Sequence, residues 1–261
     1  MRLPVPYCGV APLPGELLAR FNLDPILITV LVALTVVHVA SCQDRRARLY
    51  AGAGWLVAAI AFVSPLCALS VALFSARIAQ HMLLLLLAAP LIAAGLPVAR
   101  TTSAASNRPG RWPLWAAALA FFICLWVWHM PIPYDATFVS TPLYWAMHVT
   151  LFGSGILLWR GLLHHSRLRT VDAFATGLLS SMQMGLLGAI LTLAARPLFF
   201  PHLLTTTAWG LTPLQDQQLG GTLMWVPGIL LFLWAAIRSL RRLWGALEAG
   251  SQHASRPAHL S

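Results

Sequence analysis

The stretch IAQHMLLLLLAAPLIAAGLP, residues 78–97, contains no charged side chain over its whole length. An apolar helix needs about 20 residues to cross the ~30 Å hydrocarbon core of a bilayer, so this segment alone predicts a membrane-spanning helix. It is not isolated, because 59% of the 261 residues are hydrophobic and only 9% are charged. That balance excludes a water-soluble globular domain and indicates an integral membrane protein.

Further apolar runs predict a single all-α domain, a polytopic bundle of seven transmembrane helices without an inserted soluble domain. The predicted spans are residues 25–41, 49–69, 78–97, 114–129, 143–159, 174–195 and 220–237. The basic segment 238–261 follows as a tail. No repeat of fixed period is present, so we expect one bundle and not an array of units.

Charge predicts the orientation of the bundle. All 17 basic residues are arginine, and with seven spans 13 of them fall on one side of the membrane. Because arginine-rich loops stay in the cytoplasm, the N-terminus is predicted outside and the C-terminal tail inside. The absence of lysine excludes a retinal Schiff base. The arginines that give the net charge of +10 lie beside the spans. This position favours the lipid bilayer over nucleic acid as their partner.

Cysteines carry no sign of a disulfide framework in the sequence. Cys8, Cys42, Cys67 and Cys124 show no CxxC spacing and fall in or near different spans. We therefore expect all four to be ordinary small apolar residues.

Histidines collect on the predicted outer side. His81 is expected in the first turn of the third span, His129 at the outer end of the fourth, and His148 roughly 9 Å inside the fifth. His202 falls in the sixth connection, on the same side. A polar side chain buried in hydrocarbon is unfavourable without a partner or a wet cavity, so we expect these imidazoles to face each other in one periplasmic pocket.

Methionines accompany these histidines in HM, HM and MH pairs and at the start of the last span. Thioethers beside imidazoles favour Cu(I) over hard cations. The principal predicted metal ligands are His81, His129 and His148, and the weaker candidates are His202, Met82, Met130 and Met224. The alternative is that each histidine is a hydrogen-bonded residue at a helix end and each methionine a filler of the core.

A polar patch, TPLQDQQLGGTLMWVPG at residues 212–228, leads into the last span. An acid at the start of a helix complements the helix dipole, so Asp216 is predicted to cap this helix, with Gln217 beside it. Another acid, Asp135, is expected in the loop after His129. The candidates for a partner-binding or loop-structuring role are Asp135, Pro213, Asp216, Gln217, Gly220 and Gly221.

Four segments together resemble a known family. RIAQHMLLLLLAAPLIAAGLP, WVWHMPIPYDA, MHVTLFGSGILLW and TPLQDQQLGGTLMWVPG are similar to the signature blocks of the multi-spanning CtaG family of cytochrome c oxidase assembly factors. The resemblance covers residues 75–235. It concerns the multi-spanning family, and not the single-spanning copper chaperone that shares the name.

This resemblance implies a multi-pass protein of the bacterial plasma membrane that helps to form a haem-copper oxidase near the copper-supply step, with oxidase subunits as its partners. It carries His81, His129, His148, Asp216 and Gln217 over as functional residues. The chain departs from the pattern at Arg77 and Tyr144, where the family often has a histidine one turn before His81 and His148.

Three functions follow as hypotheses. The first is a non-enzymatic assembly factor that handles copper transiently, since no catalytic constellation and no nucleotide-binding loop is present. The second is a haem-binding electron-transfer protein, with His81 and His148 as the two axial ligands. The third, a metal or proton transporter, is weaker because the polar side chains near the midplane are few: Ser180, Ser181, Gln183 and Thr192.

Overall fold

The computed structural model describes residues 5–97, 112–164 and 169–254, which form helices and connecting loops with no strand among them. The all-α prediction is confirmed. The helices are α1 (Pro25–Ser41), α2 (Arg45–Val63), α3 (Leu66–Ala72), α4 (Phe74–Met82), α5 (Ala89–Gly95), α6 (Trp112–Trp128), α7 (Pro131–Val139), α8 (Thr141–Leu163), α9 (Thr170–Leu193) and α10 (Pro213–Ala254).

Five helical segments of the described chain are long and apolar enough to cross a membrane. They are α2, the continuous segment Phe74–Gly95, α8, α9 and the part Pro213–Arg242 of α10. Helices α6 and α7 form a pair bent by 74°, which gives a sixth if the pair is one broken span. Helix α1 is apolar but has 17 residues. The multi-pass character is confirmed, whereas seven spans and the orientation stay predictions.

The segment Phe74–Gly95 is one helix with an irregular centre. Between α4 and α5, residues Leu83–Ala88 adopt π-helical geometry. Pro90 follows directly, and a proline ring clashes with the carbonyl four residues earlier in a regular α-helix. The wider π turns relieve that clash, and such turns are frequent beside functional sites. Here they begin two residues after His81.

Several helices begin or end at other residues than the predicted spans do. The third span begins at Phe74 and not at residue 78, which places His81 about two turns inside the helix and not in its first turn. The second span ends at Val63 because Ser64 is extended and Pro65 starts the separate helix α3. Asp135 lies in helix α7 and not in a loop, because Pro131 in the first turn is favourable for helix initiation.

Glycines explain how closely α10 packs. A Cβ on Gly221 would lie 2.6 Å from the backbone nitrogen of Thr192 in α9, and one on Gly220 would lie 2.5 Å from the Phe74 ring in α4. Only glycine lets α10 approach both neighbours at once. The glycine pair therefore fixes α4, the helix that carries His81, against α10.

The part of the tail that the structure describes continues α10 without a break to Ala254, with Pro227 inside the helix. Six of the arginines that predict the orientation lie outside the described residues, namely Arg2, Arg100, Arg108, Arg111, Arg167 and Arg256.

The prediction for the cysteines was wrong for two of the four. Cys8 and Cys67 form a disulfide, with their Cα atoms 5.4 Å apart. Cys42 and Cys124 are free. The disulfide ties the segment that precedes α1 to the start of α3, and sequence spacing gave no indication of it because 59 residues separate the two cysteines.

Candidate functional site

Three buried imidazoles meet between α4, α6 and α8. The His81 ring centre lies 5.5 Å from that of His129 and 5.3 Å from that of His148, in both cases edge to face. None of the three side chains is more than 3% exposed. The structure thus brings together the three residues predicted as the principal ligands, and we call them the histidine trio.

Hydrogen bonds define the tautomers of two members of the trio. Nδ1 of His129 lies 2.6 Å from the carbonyl oxygen of Leu125, and Nδ1 of His148 lies 3.0 Å from that of Tyr144. A carbonyl oxygen only accepts, so each Nδ1 carries the hydrogen and each neutral ring keeps a lone pair on Nε2. Such a backbone bond is how proteins orient a metal-binding imidazole.

The remaining nitrogens of the trio are unpaired. Nε2 of His129, Nε2 of His148 and both ring nitrogens of His81 are buried without a hydrogen-bond partner among the described residues. Most buried polar atoms in proteins are paired, so four such nitrogens in one place require an explanation. Neutral imidazoles in such a position can bind a metal ion.

The spacing of the three rings suits a shared metal ion, but their present orientation does not. Two imidazoles that share a metal through bonds of about 2 Å have ring centres roughly 5–6 Å apart, close to the spacing of the trio. As the side chains stand, however, no group of three His, Cys, Asp or Glu residues in the described ranges could hold a metal ion. The rings therefore need to rotate before they converge on one ion.

Aromatic side chains form the wall around His148. Its ring centre lies 4.3 Å from that of Tyr144 and 5.0 Å from that of Phe62. Trp145 adds an edge-to-face contact at 6.2 Å. These rings cover the trio with aromatic surface on the side of His148.

A buried cation lies one helical turn before His81. Arg77 is 1% exposed, its guanidinium stacks over the rings of Phe138 and Tyr144 at 4.6 and 5.4 Å, and its Nη1 has no hydrogen-bond partner within the described parts. Residues four apart on a helix are neighbours on one face, so this positive charge faces the trio. A charged residue in an apolar span is itself a signal of function, but the third span was predicted to begin at residue 78 and so did not include Arg77.

His202 lies apart from the trio. Its Nε2 is 2.7 Å from the hydroxyl of Tyr134, and its ring packs against Phe74 and Phe138. It is buried in the short 3-10 turn Phe200–His202. Its partner is therefore a tyrosine, and the structure gives it no contact with the three central imidazoles.

The three candidate methionines differ in exposure. Met130 is 50% exposed on the protein surface, which separates it from the fully buried imidazoles. Met82 and Met224 are buried in the main hydrophobic cluster. Their placement in this cluster fits residues of the hydrophobic core.

Asp216 caps a helix, but a different helix from the one predicted. Its carboxylate accepts hydrogen bonds from the backbone nitrogens of Phe74 and Ser75, at 2.6 and 3.1 Å, and from the Ser75 hydroxyl. It thus binds the N-terminus of α4 and not that of its own helix α10. Because α4 carries Arg77 and His81, this buried carboxylate positions the site.

Gln217 joins α10 to the connection that follows α9. Its Oε1 accepts from the backbone nitrogen of Leu198 at 2.6 Å, and its Nε2 donates to the carbonyl of Leu191 at 3.3 Å. Pro213 begins α10, so the polar patch is the start of that helix and its attachment to two neighbours. Asp135, on α7, is partly buried with one carboxylate oxygen unpaired among the described residues.

The segment before α1 covers the trio from one end. Tyr7 stacks on Tyr144 with ring centres 4.9 Å apart, and its hydroxyl donates to Asp24 at 2.6 Å. This hydrogen bond lowers the pKa of the Asp24 carboxyl. Neither Tyr7 nor the disulfide at Cys8 was recognised as part of the site from sequence, because nothing local in the chain marks them.

Comparison with known proteins gives one match. A family model described as "cytochrome c oxidase caa3 assembly factor" matches residues 26–245. No curated protein and no solved structure matches the chain. The matched range contains the trio, Arg77 and the whole polar patch, and it confirms the resemblance found in the sequence. The chain therefore belongs to the caa3-type CtaG family of cytochrome c oxidase assembly factors.

Proposed function

We propose that this membrane protein assists oxidase assembly by holding Cu(I) transiently at the histidine trio, on the periplasmic side of the bacterial plasma membrane, and passing it to an oxidase subunit. The observation that carries the proposal is the set of four imidazole nitrogens without a partner among the described residues, which lie on α4, on α8 and in the turn after α6. Imidazole is a suitable ligand for copper, and the Nδ1 hydrogen bonds of His129 and His148 direct their free Nε2 atoms toward this role.

The nearby cation supports transient binding. The fixed positive charge of Arg77 has no acidic partner within the described residues, where the one ion pair joins Arg20 and Glu16. In a buried site this charge disfavours another cation, and it disfavours a divalent ion more than a monovalent one. A weak site selective for Cu(I) is the property that a delivery protein requires, and it involves no catalytic step.

The direct test is a titration with Cu(I) in a competing chelator. We expect His81→Ala, His129→Ala and His148→Ala each to weaken binding at least tenfold. The matched control is His164→Ala, since His164 is already paired with the carbonyl of Ala93 at 2.9 Å. Equal affinity of all four variants and the wild type would remove the trio from any copper role.

The haem hypothesis has one supporting observation, the proximity of His81 and His148. Their rings meet edge to face, however, and the rings of Phe62 and Tyr144 pack closely against that of His148. A Soret band in the protein purified from haem-sufficient cells would establish this alternative. The polar side chains near the midplane do not form the continuous path that transport requires: the hydroxyls of Ser180, Ser181 and Thr192 donate to backbone carbonyls, and of the four side chains Gln183 alone has an unpaired buried oxygen.

A further inference from the structure

The disulfide lies beside the histidine trio. The hydroxyl of Tyr144 is 3.3 Å from Sγ of Cys8 and 3.9 Å from Sγ of Cys67. The ring of the same tyrosine is 4.3 Å from the ring of His148. A single side chain therefore separates two sulfur atoms from an imidazole of the proposed copper site.

The two cysteines differ in accessibility. Cys67 is fully buried, whereas Cys8 is partly exposed on the segment that precedes α1. Thiol–disulfide exchange starts with attack on an accessible sulfur, so a partner thiol can reach this bond through Cys8. The buried Cys67 then faces the interior of the protein.

A side-chain donor contacts the inner sulfur. Nδ2 of Asn22 donates to Sγ of Cys67 at 3.6 Å, and the other hydrogen of this amide is directed toward the carbonyl of Phe62 at 3.3 Å. A hydrogen bond to sulfur favours the thiolate over the thiol once the bond is reduced. The thiolate is the form of cysteine that binds soft metal ions.

We propose that the Cys8–Cys67 pair is a reversible Cu(I) entry site, closed as the disulfide and open as the dithiol. A protein dithiol supplies two electrons and two protons, so its own thiols become a disulfide while Cys8 and Cys67 become thiols. Cu(I) then replaces the thiol protons, which leave to solvent, and the oxidation state of the copper does not change. Transfer to His148 is the next step, and this last step alone rests on the proposed function of the trio.

The competing interpretation is a permanent covalent staple that only holds the N-terminal segment on the bundle. Both interpretations expect the same structure for the oxidised protein, so the measurement must use the reduced protein. The full-length chain in detergent is divided into an oxidised sample and a sample reduced with dithiothreitol and desalted without oxygen. Both are titrated with Cu(I) buffered by bicinchoninate.

We expect the reduced protein to bind one more Cu(I) per chain than the oxidised protein. Cys8→Ser and Cys67→Ser should each abolish this increment, and Cys42→Ser and Cys124→Ser should keep it. Alkylation of the reduced wild type with N-ethylmaleimide should abolish it too, which provides a test that does not depend on how the variants fold. A bond that resists reduction in the folded protein, or a reduced protein with no increment, would overturn the proposal.

The two proposals fail in different ways in this experiment. If the trio has no copper role, its alanine variants bind as the wild type does in the oxidised state, and the redox-dependent increment persists. If the cysteine pair has no copper role, the increment is absent while the alanine variants still lose affinity. An increment that disappears in His81→Ala would contradict the independent dithiol site.

Discussion

Two buried polar clusters lie on or against α4, and they differ in how completely their hydrogen bonds are satisfied. Around Asp216, three donors of α4 bind one carboxylate. Around His81, four imidazole nitrogens have no partner among the described residues. Burial without a hydrogen bond is unfavourable, so the fully paired cluster stabilises the fold, whereas the unpaired nitrogens of the trio contribute no hydrogen bond to its stability.

Asp216 therefore belongs to the scaffold that holds α4 in place, whereas His81 belongs to the candidate site. The polar patch at the start of α10 looked as functional in sequence as the histidines did. The structure assigns its carboxylate to the N-terminus of α4, and therefore indirectly to the position of His81. Variants in the two clusters should change stability by very different amounts, and the largest change should come from the paired cluster.

The largest effect is expected for Asp216→Ala. It leaves two backbone N–H groups and one hydroxyl buried and unpaired, and we expect a loss of about 3–5 kcal/mol in the free energy of unfolding. Thermal unfolding of the purified protein in detergent measures it. The matched control is Asp44→Ala, because Asp44 caps α2 through a single bond in an exposed position, with an expected loss of about 1 kcal/mol. Equal losses in the two variants would show that the Asp216 cap of α4 stabilises the protein no more than an exposed helix cap does.

Close packing of α10 should produce the next largest effect. In Gly221→Ala the new Cβ meets the Thr192 backbone nitrogen at 2.6 Å and the Gly188 carbonyl oxygen at 2.7 Å, so the helices must separate, at an expected loss of about 2–3 kcal/mol. Gly153→Ala is the control, since no atom lies within 4 Å of its added Cβ. That variant should be neutral or slightly more stable, because alanine favours the helix. A stable Gly221→Ala protein would refute the close approach of α9 and α10.

A smaller loss is expected for Gln217→Ala, which removes one acceptor and one donor from the connection after α9. We expect about 2 kcal/mol, because the Leu198 amide and the Leu191 carbonyl lose their partner. Gln215→Ala, at an exposed position two residues earlier, should lose less than about 1 kcal/mol. A reversed order would show that Gln217 has a role outside the scaffold.

The sequence predicted the membrane helices because their apolar runs are long, and it predicted the trio because alternating spans put His81, His129 and His148 at one end. Contacts between distant parts of the chain were not predictable. Asp216 binds α4 across 142 residues, and Cys8 pairs with Cys67 across 59. Neither pairing changes local composition or periodicity, so only the packed bundle reveals it. The start of α4 was missed for the same reason, since its cap comes from another helix.

The smallest change in stability is expected for His81→Leu, which is also the sharpest test of the comparison. Neither nitrogen of His81 has a hydrogen bond to lose, and leucine places apolar atoms where a buried imidazole was unpaired. We therefore expect the free energy of unfolding to increase, by no more than about 1 kcal/mol over that of the wild type. Oxidase content in cells that carry only this variant should nevertheless fall to the level of a deletion strain.

A buried histidine that does have a partner provides the control for that prediction. His202→Leu removes the hydrogen bond to the Tyr134 hydroxyl and should lower the free energy of unfolding by about 1–3 kcal/mol. The two substitutions are chemically identical and both positions are buried, so the difference between them isolates the effect of the hydrogen bond. If His81→Leu destabilises the protein as much as His202→Leu does, the trio is a paired structural cluster, and the distinction between scaffold and site at α4 fails.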